Sequence, residues 1–459
     1  MTRWRHAALF VCAAAVPLWM AACRFSIPGI DATGAGDMAT GSDDLAGGGG
    51  DLPACACATG CSDTPTPHCL ALEPTGPVSA ADYATSGLGT LTVTANLTVD
   101  SDTGAIMGPP SLMRPAGAGV LNGVGFRVAP QTGGPAIGVF SVAGLTLAAG
   151  VKITVTGANA FALVSAGAVT LNGLVDASCS GMMPGPGGFA GGMGGMDGLG
   201  PTPGAGKAGS ATGAGPTAAA SGGGGGAYGD AGGAGGLLTG ATSNGGVPWG
   251  DLTPAAFVLV GGAGGGGGGQ PMGGKGGNGG GAVQLAVNDT LTIGGTIDVG
   301  GCGGAHGAKA SGGGGGGAGG AIVLEAARVT LTSTAVLAAN GGGGGAGDDK
   351  SASGNDANAS VVPAPGGGAG SATGGNGGNG GASNGMPGQH FTNGRNGTIP
   401  DPLAGFGGGG GGGVGRIVVR AQNPTMGGIS DSSTAVTPDA GDLSSDATHP
   451  TVYGAASFQ

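Results

Sequence analysis

Ala282-Val-Gln-Leu-Ala-Val-Asn-Asp-Thr-Leu-Thr-Ile-Gly-Gly-Thr-Ile-Asp-Val299 is the stretch on which the fold turns. Apolar residues recur at every second position, the period of a half-buried strand. Asn288-Asp289 and Gly294-Gly295 interrupt the alternation, so the stretch holds three short strands and two tight corners. Val283, Leu285, Val287, Leu291, Ile293, Ile297 and Val299 can then all face one way. The layout recurs at Leu163–Ala177, at Ala321–Leu337 and, truncated, at Arg416–Ala421. Shorter alternating segments begin near Thr90, at Leu91–Thr94 and Leu97–Val99. Three-strand units that cannot bury their apolar face alone stack on one another. The expected fold is therefore all-β, a right-handed parallel β-helix-like solenoid. A β-sandwich shares the alternation and is the alternative.

Between the units lie glycine-rich inserts at about 181–250, 261–281, 300–320, 341–382 and 405–415. The chain has 119 glycines in 459 residues, far above the ~7% of ordinary proteins. Several runs have a period of three: GGKGGNGGG at 273–281, GGNGGNGGA at 374–382 and GGMGGM at 191–196. That period matches an extended left-handed helix with three residues per turn. Glycine at two of three positions lets such helices pack and hydrogen-bond sideways, with the third residue outward. The inserts are expected to be polyglycine-II-like bundles, with disordered loops as the alternative. The junctions Gly279-Gly-Gly-Ala-Val-Gln-Leu285 and Gly319-Gly-Ala-Ile-Val-Leu324 resemble the glycine-rich domain of Obg GTPases. That likeness is local, and the chain has no G-x-x-x-x-G-K-[ST] loop.

The N-terminus reads as an export signal. Arg3 and Arg5 precede an apolar run, Ala7 to Met20, followed by Met20-Ala21-Ala22-Cys23. This resembles a bacterial lipoprotein signal. The resemblance implies cleavage before Cys23, lipidation of Cys23 and, with Arg24 following, an outer-membrane location on the cell surface or the periplasmic face. The anchor would hold the protein to the membrane without spanning it. Residues 1–22 are then the signal peptide and 23–52 a flexible tether rich in Gly, Ala, Asp and Ser. Residues 53–75 form a small disulfide knot, 76–422 the solenoid with its inserts, and 423–459 a polar C-terminal tail with one edge strand near Thr451.

In an exported chain an even set of cysteines implies disulfides. Six remain beyond Cys23: Cys55, Cys57, Cys61, Cys69, Cys179 and Cys302. The first four are too close in sequence to enclose a core, and three pairings among them are open. Zinc is the weaker reading, because Cys55 and Cys57 are spaced more tightly than zinc pairs usually are. Cys179 and Cys302 follow Asp176 and Asp298, which hold matching places in two units. Stacked strands ~4.8 Å apart lie within disulfide reach, so a Cys179–Cys302 bridge is expected.

No catalytic, cofactor or metal site is expected. The histidines are not paired at metal spacing, and the Asp100-Ser-Asp-Thr-Gly104 stretch reads as a turn, since no glutamate completes a calcium loop. Asp176 and Asp298 could form a carboxylate pair for glycoside cleavage, but the alternation turns them toward solvent as ordinary polar residues. A formal charge of −11 with only 14 Lys and Arg argues against nucleic acid as a partner. Thr66-Pro-His-Cys69, the Asp100–Gly104 turn and the strand units spliced with glycine runs together resemble glycine-rich lipoproteins of myxobacteria and related delta-proteobacteria. That resemblance implies no particular activity. The expected role is a non-enzymatic, lipid-anchored surface or envelope protein, structural or adhesive, with surface polysaccharide or other cell-surface components as partners. The alternatives are a polysaccharide-acting β-helix enzyme and an ice- or carbohydrate-binding surface protein.

Overall fold

The computed structural model describes residues 61–62, 68–212, 219–236, 243–250, 257–269, 272–370, 374–382, 406–423, 429–431, 435–437 and 451–458. The signal, Cys23, the tether, Cys55 and Cys57 lie outside the described residues, as does most of the predicted tail.

The protein is all-β, and its strands fall into three parallel ladders. The first runs through Ile137–Val142, Ala160–Ser165, the N-terminal halves of Ala282–Ile293 and Ala321–Leu331, then Arg416–Ala421 and Thr451–Ala455. The second takes Thr90–Val93, Gly144–Leu147, Val169–Leu171 and the C-terminal halves of the same two long strands, then Ile429–Asp431. The third takes Leu97–Asp100, Lys152–Thr156, Leu174–Asp176, Thr296–Asp298, Val336–Ala338 and Ala435–Thr437. The ladders therefore run on beyond Gln422, where the sequence reading placed a polar tail. They also include a unit at residues 137–156 that the repeat pattern had not marked. At the starting edge the order turns antiparallel, with Val124–Ala129 against Ile137–Val142 and Gly119–Leu121 against Val124–Ala129.

The inner face is one apolar cluster drawn from all three ladders, and it contains all seven residues predicted to share a face. Burial of a Leu or Ile side chain is worth ~1.5–3 kcal/mol, so stacking is what stabilises each short strand. In the third ladder Leu174–Asp176 and Thr296–Asp298 alternate between a buried centre and half-buried flanks. The first ladder differs. Ile137–Val142, Ala160–Ser165 and Arg416–Ala421 are buried at every position. A second apolar cluster covers their outer face, with Leu72, Val78, Tyr83, Phe257 and Leu259 laid across it. The segment read as the end of a cysteine knot thus contributes Leu72 and Thr75 to the body of the fold.

The glycine inserts are ordered in the described residues. Along 312–320 every amide donates, at 2.8–3.3 Å, and the direction repeats every third residue. Gly312, Gly315 and Ala318 donate to Gly269, Gly266 and Ala263. Gly313, Gly316 and Gly319 donate to Gly407, Gly410 and Gly413. Gly314, Gly317 and Gly320 donate to Ala305, Cys302 and Val299. The carbonyls of the same run accept from three further segments, around 274–280, 223–226 and 342–345. This run therefore has six neighbours and the three-fold repeat of polyglycine II.

This packing explains which runs are almost entirely glycine. Segments 261–269, 312–320 and 407–415 are interior; apart from the buried Ala263, Ala318 and Val414 they are all glycine, and a Cβ added at those glycines would strike neighbouring backbone. Segments 273–281 and 374–382 lie at the edge; in the first, Gly276 and Gly279 donate toward Gly192 and Phe189, and Gly274, Gly277 and Gly280 toward Gly312, Gly315 and Ala318. Their third residue stands at the rim. Asn376 and Asn379 are exposed there and accept from the amides of Ala369 and Gly366. Asn278 departs from the predicted outward pattern. It is buried, accepts from the Gly191 amide at 3.0 Å and donates to the Gly181 carbonyl at 3.1 Å.

Candidate functional site

The third ladder carries a cluster of polar side chains on its outer face. A groove of about 340 Å³ is lined there by Lys152, Asp176, Ser178, Cys179, Met183 and Pro184. Register places Thr154, Asp176 and Asp298 on successive rungs. Their even spacing follows from strand alternation, because each follows a buried Ile or Val that fills the interior.

Asp176 and Asp298 are not alike. Lys152 Nζ lies 2.5 Å from Asp176 Oδ2, and Ser178 Oγ donates to Asp176 Oδ1 at 2.6 Å. Burial pushes the Asp176 carboxyl up, but the hydrogen bonds from Lys152 and Ser178 outweigh it and hold the group below its ordinary value. Asp298 accepts only the Gly300 amide among its described bonds, at 2.9 Å. Loss of solvent pushes its carboxyl up to about 7; the Gly300 bond opposes this, and the Asp176 charge adds to it. The pair is therefore one ionised and one protonatable carboxyl on neighbouring strands, not the two solvated side chains expected from alternation.

Beside the groove Cys179 and Cys302 are joined, with Cα atoms 5.7 Å apart across a sequence separation of 123. The bridge ties two rungs, and its Cys179 end lines the groove. Asp356 offers a carboxylate oxygen within 4.8 Å of both sulfurs. Sulfurs bonded to each other are not thiolates and do not ligate zinc. His306 Nδ1 lies 2.9 Å from the Gly307 carbonyl. Cys69 is disulfide-bonded; its neighbour in register across a two-residue ladder is Cys61.

The Asp100–Gly104 stretch is a turn. Asp100 Oδ1 accepts the Asp102 amide at 2.9 Å, and Gly104 takes a φ of 76°. Gly381-Ala-Ser-Asn-Gly385 fits the spacing of a serine nucleophile elbow. It follows an extended glycine chain, not the strand such an elbow needs, and Ser383 lies outside the described residues. A cavity of about 50 Å³ inside the first units, lined by residues such as Val93, Phe140, Leu145 and Phe161, is wholly apolar. Among the described residues no helix is long and apolar enough to cross a membrane.

The chain matches no protein-family model, no curated protein and no solved structure.

The raised Asp298 carboxyl makes a pH prediction. Folded, it keeps its proton to about pH 7; unfolded, it loses it near the ordinary value of 3.8. Between those limits the native state binds the extra proton. Stability therefore falls as pH rises from about 4 to about 7 and is level above. Asp298→Asn keeps an acceptor for Gly300 but cannot ionise. In urea unfolding the variant is expected to gain on the wild type by a few kcal/mol at most between pH 4.5 and pH 8. Equal differences at the two pH values would refute the shift.

Proposed function

We propose that this chain is a non-enzymatic, lipid-anchored protein of the outer membrane, displayed on the cell envelope in a structural or adhesive role. The observation that carries this reading is the glycine lattice. It occupies the largest inserts, its chains are joined to one another by backbone hydrogen bonds, and its interior chains 261–269, 312–320 and 407–415 hold no ionisable residue. Such a body is rigid and chemically inert, which suits display and not turnover. The three ladders support a right-handed parallel β-helix as the frame. Each unit visits them in the same order, and parallel crossovers are right-handed in nearly all proteins. The signal-like start and Cys23 supply the anchor in this reading, and surface polysaccharide or other cell-surface components are the partners.

The test is protease shaving of intact cells, comparing the native chain with Cys23→Ala. The reading expects the native protein to be cell-bound and cut from outside, and the variant to be released. Protection of the native protein in intact cells excludes adhesion and leaves an envelope scaffold.

A second reading, a polysaccharide-acting enzyme, has one observation in its favour. Asp176 and Asp298 lie on adjacent strands with carboxyl groups pushed in opposite directions, as glycoside cleavage by acid and base requires. New reducing ends from a polysaccharide panel, lost in Asp298→Asn, would favour it over display.

A further inference from the structure

Methionine is ordinarily a core residue, used to fill gaps between other apolar side chains. Here none of the seven described methionines is buried. Their exposures run from 47% to 81%, and neither apolar cluster contains one. Five of them, Met182, Met183, Met193, Met196 and Met272, stand on or beside the glycine rim. Among the described residues, methionine is therefore the commonest large apolar side chain exposed on this surface, beside Leu199, Val247 and Val362.

Two backbone features bring three of them together. Met193-Gly-Gly-Met196 is a tight turn: the Met196 amide donates to the Met193 carbonyl at 2.8 Å, and Gly195 takes a φ of 75°. Such a turn holds its end Cα atoms within about 7 Å. The next chain of the lattice carries Met272 alongside. A Cβ built on Gly194 would lie 3.0 Å from Gly273 N and 2.6 Å from Gly273 O, so the residues after Met193 and Met272 are in backbone contact. Met272 is fixed in turn by its amide donating to Ser311 Oγ at 3.0 Å and its carbonyl accepting from Ala308 at 3.1 Å. Long unbranched side chains on three such positions can reach a common point. The lattice beneath them is rigid, which is what a ligand set needs.

We infer that Met193, Met196 and Met272 form a three-thioether site for a soft monovalent cation, Cu(I). Thioether sulfur is a soft, neutral ligand that favours Cu(I) over hard cations such as Ca²⁺ or Mg²⁺. The nearest carboxylate in sequence, Asp197, is already engaged by Lys207 Nζ at 2.9 Å and the Ala208 amide at 2.7 Å, so it does not offer a free hard ligand. Thioethers also keep their ligand character where cysteines are consumed as disulfides, as Cys179 and Cys302 are in this protein.

The test uses Ag⁺ as a redox-inert stand-in, added to the full chain carrying ¹³C-methyl methionine in chloride-free buffer. The methyl signals of Met193, Met196 and Met272 are expected to move together and saturate at one Ag⁺ per chain. Those of Met107 and Met113, exposed elsewhere, should move only in excess. Met196→Leu, which keeps size and apolarity, should weaken Ag⁺ binding about tenfold or more, and Met113→Leu less than twofold; even outer-shell losses at metal sites cost ~10–100-fold. Parallel titration of all the observed methionines would overturn the site, as would an unchanged affinity in Met196→Leu. The wild-type titration decides the question even if a variant fails to fold.

Discussion

Gly316→Ala is expected to break the glycine lattice. Gly316 lies at the middle of the most enclosed run, donating to Gly410 at 2.8 Å and accepting from Gly226 at 2.9 Å. An alanine Cβ there would overlap the carbonyl oxygen of Gly342 and lie 2.8 Å from Gly412 N. Both obstacles are backbone, so no rotamer change relieves them. Overpacking usually costs ~1–3 kcal/mol because side chains can move; here whole chains must separate, and a cost above ~4 kcal/mol is expected. Gly368→Ala is the matched control. Nothing lies within 4 Å of a Cβ built at that position, and an exposed change of this kind should stay within ~0.5 kcal/mol. Amide exchange over 312–320 and 407–415, read alongside the urea midpoint, checks the prediction. Protection retained in Gly316→Ala would mean that the lattice does not depend on close backbone contact.

Glu325→Ala is expected to cost about as much, through a different cause. Glu325 and Arg420 pair at 3.0 Å on the outer face of the first ladder, with 1% and 6% of their side chains exposed. Thr75 Oγ1 donates to Glu325 at 2.8 Å, Gln284 Nε2 donates at 2.8 Å, and the Arg420 guanidinium lies 5.8 Å from the Phe257 ring centre. Removing the carboxylate takes its 3.0 Å partner from the buried Arg420 guanidinium, and breaking a buried pair from one side typically costs ~3–5 kcal/mol. Thr75 loses the acceptor of both its amide and its hydroxyl, so the segment from Leu72 to Tyr83 should loosen as well, although the bonds to Thr75 from Arg420 and Gln284 and from the Tyr83 hydroxyl to the Leu72 carbonyl remain. The double variant Glu325→Leu, Arg420→Met should recover most of the loss. Thermal and urea unfolding of the single and double variants tests this. A single variant as stable as the wild type would show that the pair is not desolvated.

The two cases separate what the chain spells out locally from what it conceals. Residues 282–299 announce inward and outward faces, because polar and apolar residues alternate and only one face of those positions meets the interior. The run Ile137-Gly-Val-Phe-Ser-Val142 announces nothing of the kind. Both its faces are buried, so the period of two is erased and its unit goes unmarked. Glu325 and Arg420 look like solvent-facing polar residues in their strands. Their burial depends on a segment 250 positions away from Glu325 at Thr75, a relation that no local pattern encodes. Asp298 is similar: its outward direction is legible, while its loss of solvent comes from the neighbouring rung and from the chain at Ala357, whose Cβ would lie 2.9 Å from a Cβ on Gly300.

The triplet glycine runs divide in the same way. A repeat of two glycines and a third residue prescribes a three-fold helix, since backbone freedom and residue size are properties of the chain alone. Which run lies at the centre and which at the rim is a matter of neighbours. Runs 312–320 and 273–281 have the same helical period, yet one is enclosed by six segments and the other presents Lys275 to the edge. Period and facing are local consequences of composition and sterics. Burial, charge state and the convergence of Met193, Met196 and Met272 come from packing segments far apart in the chain, because solvent exclusion and close approach exist only once those segments meet.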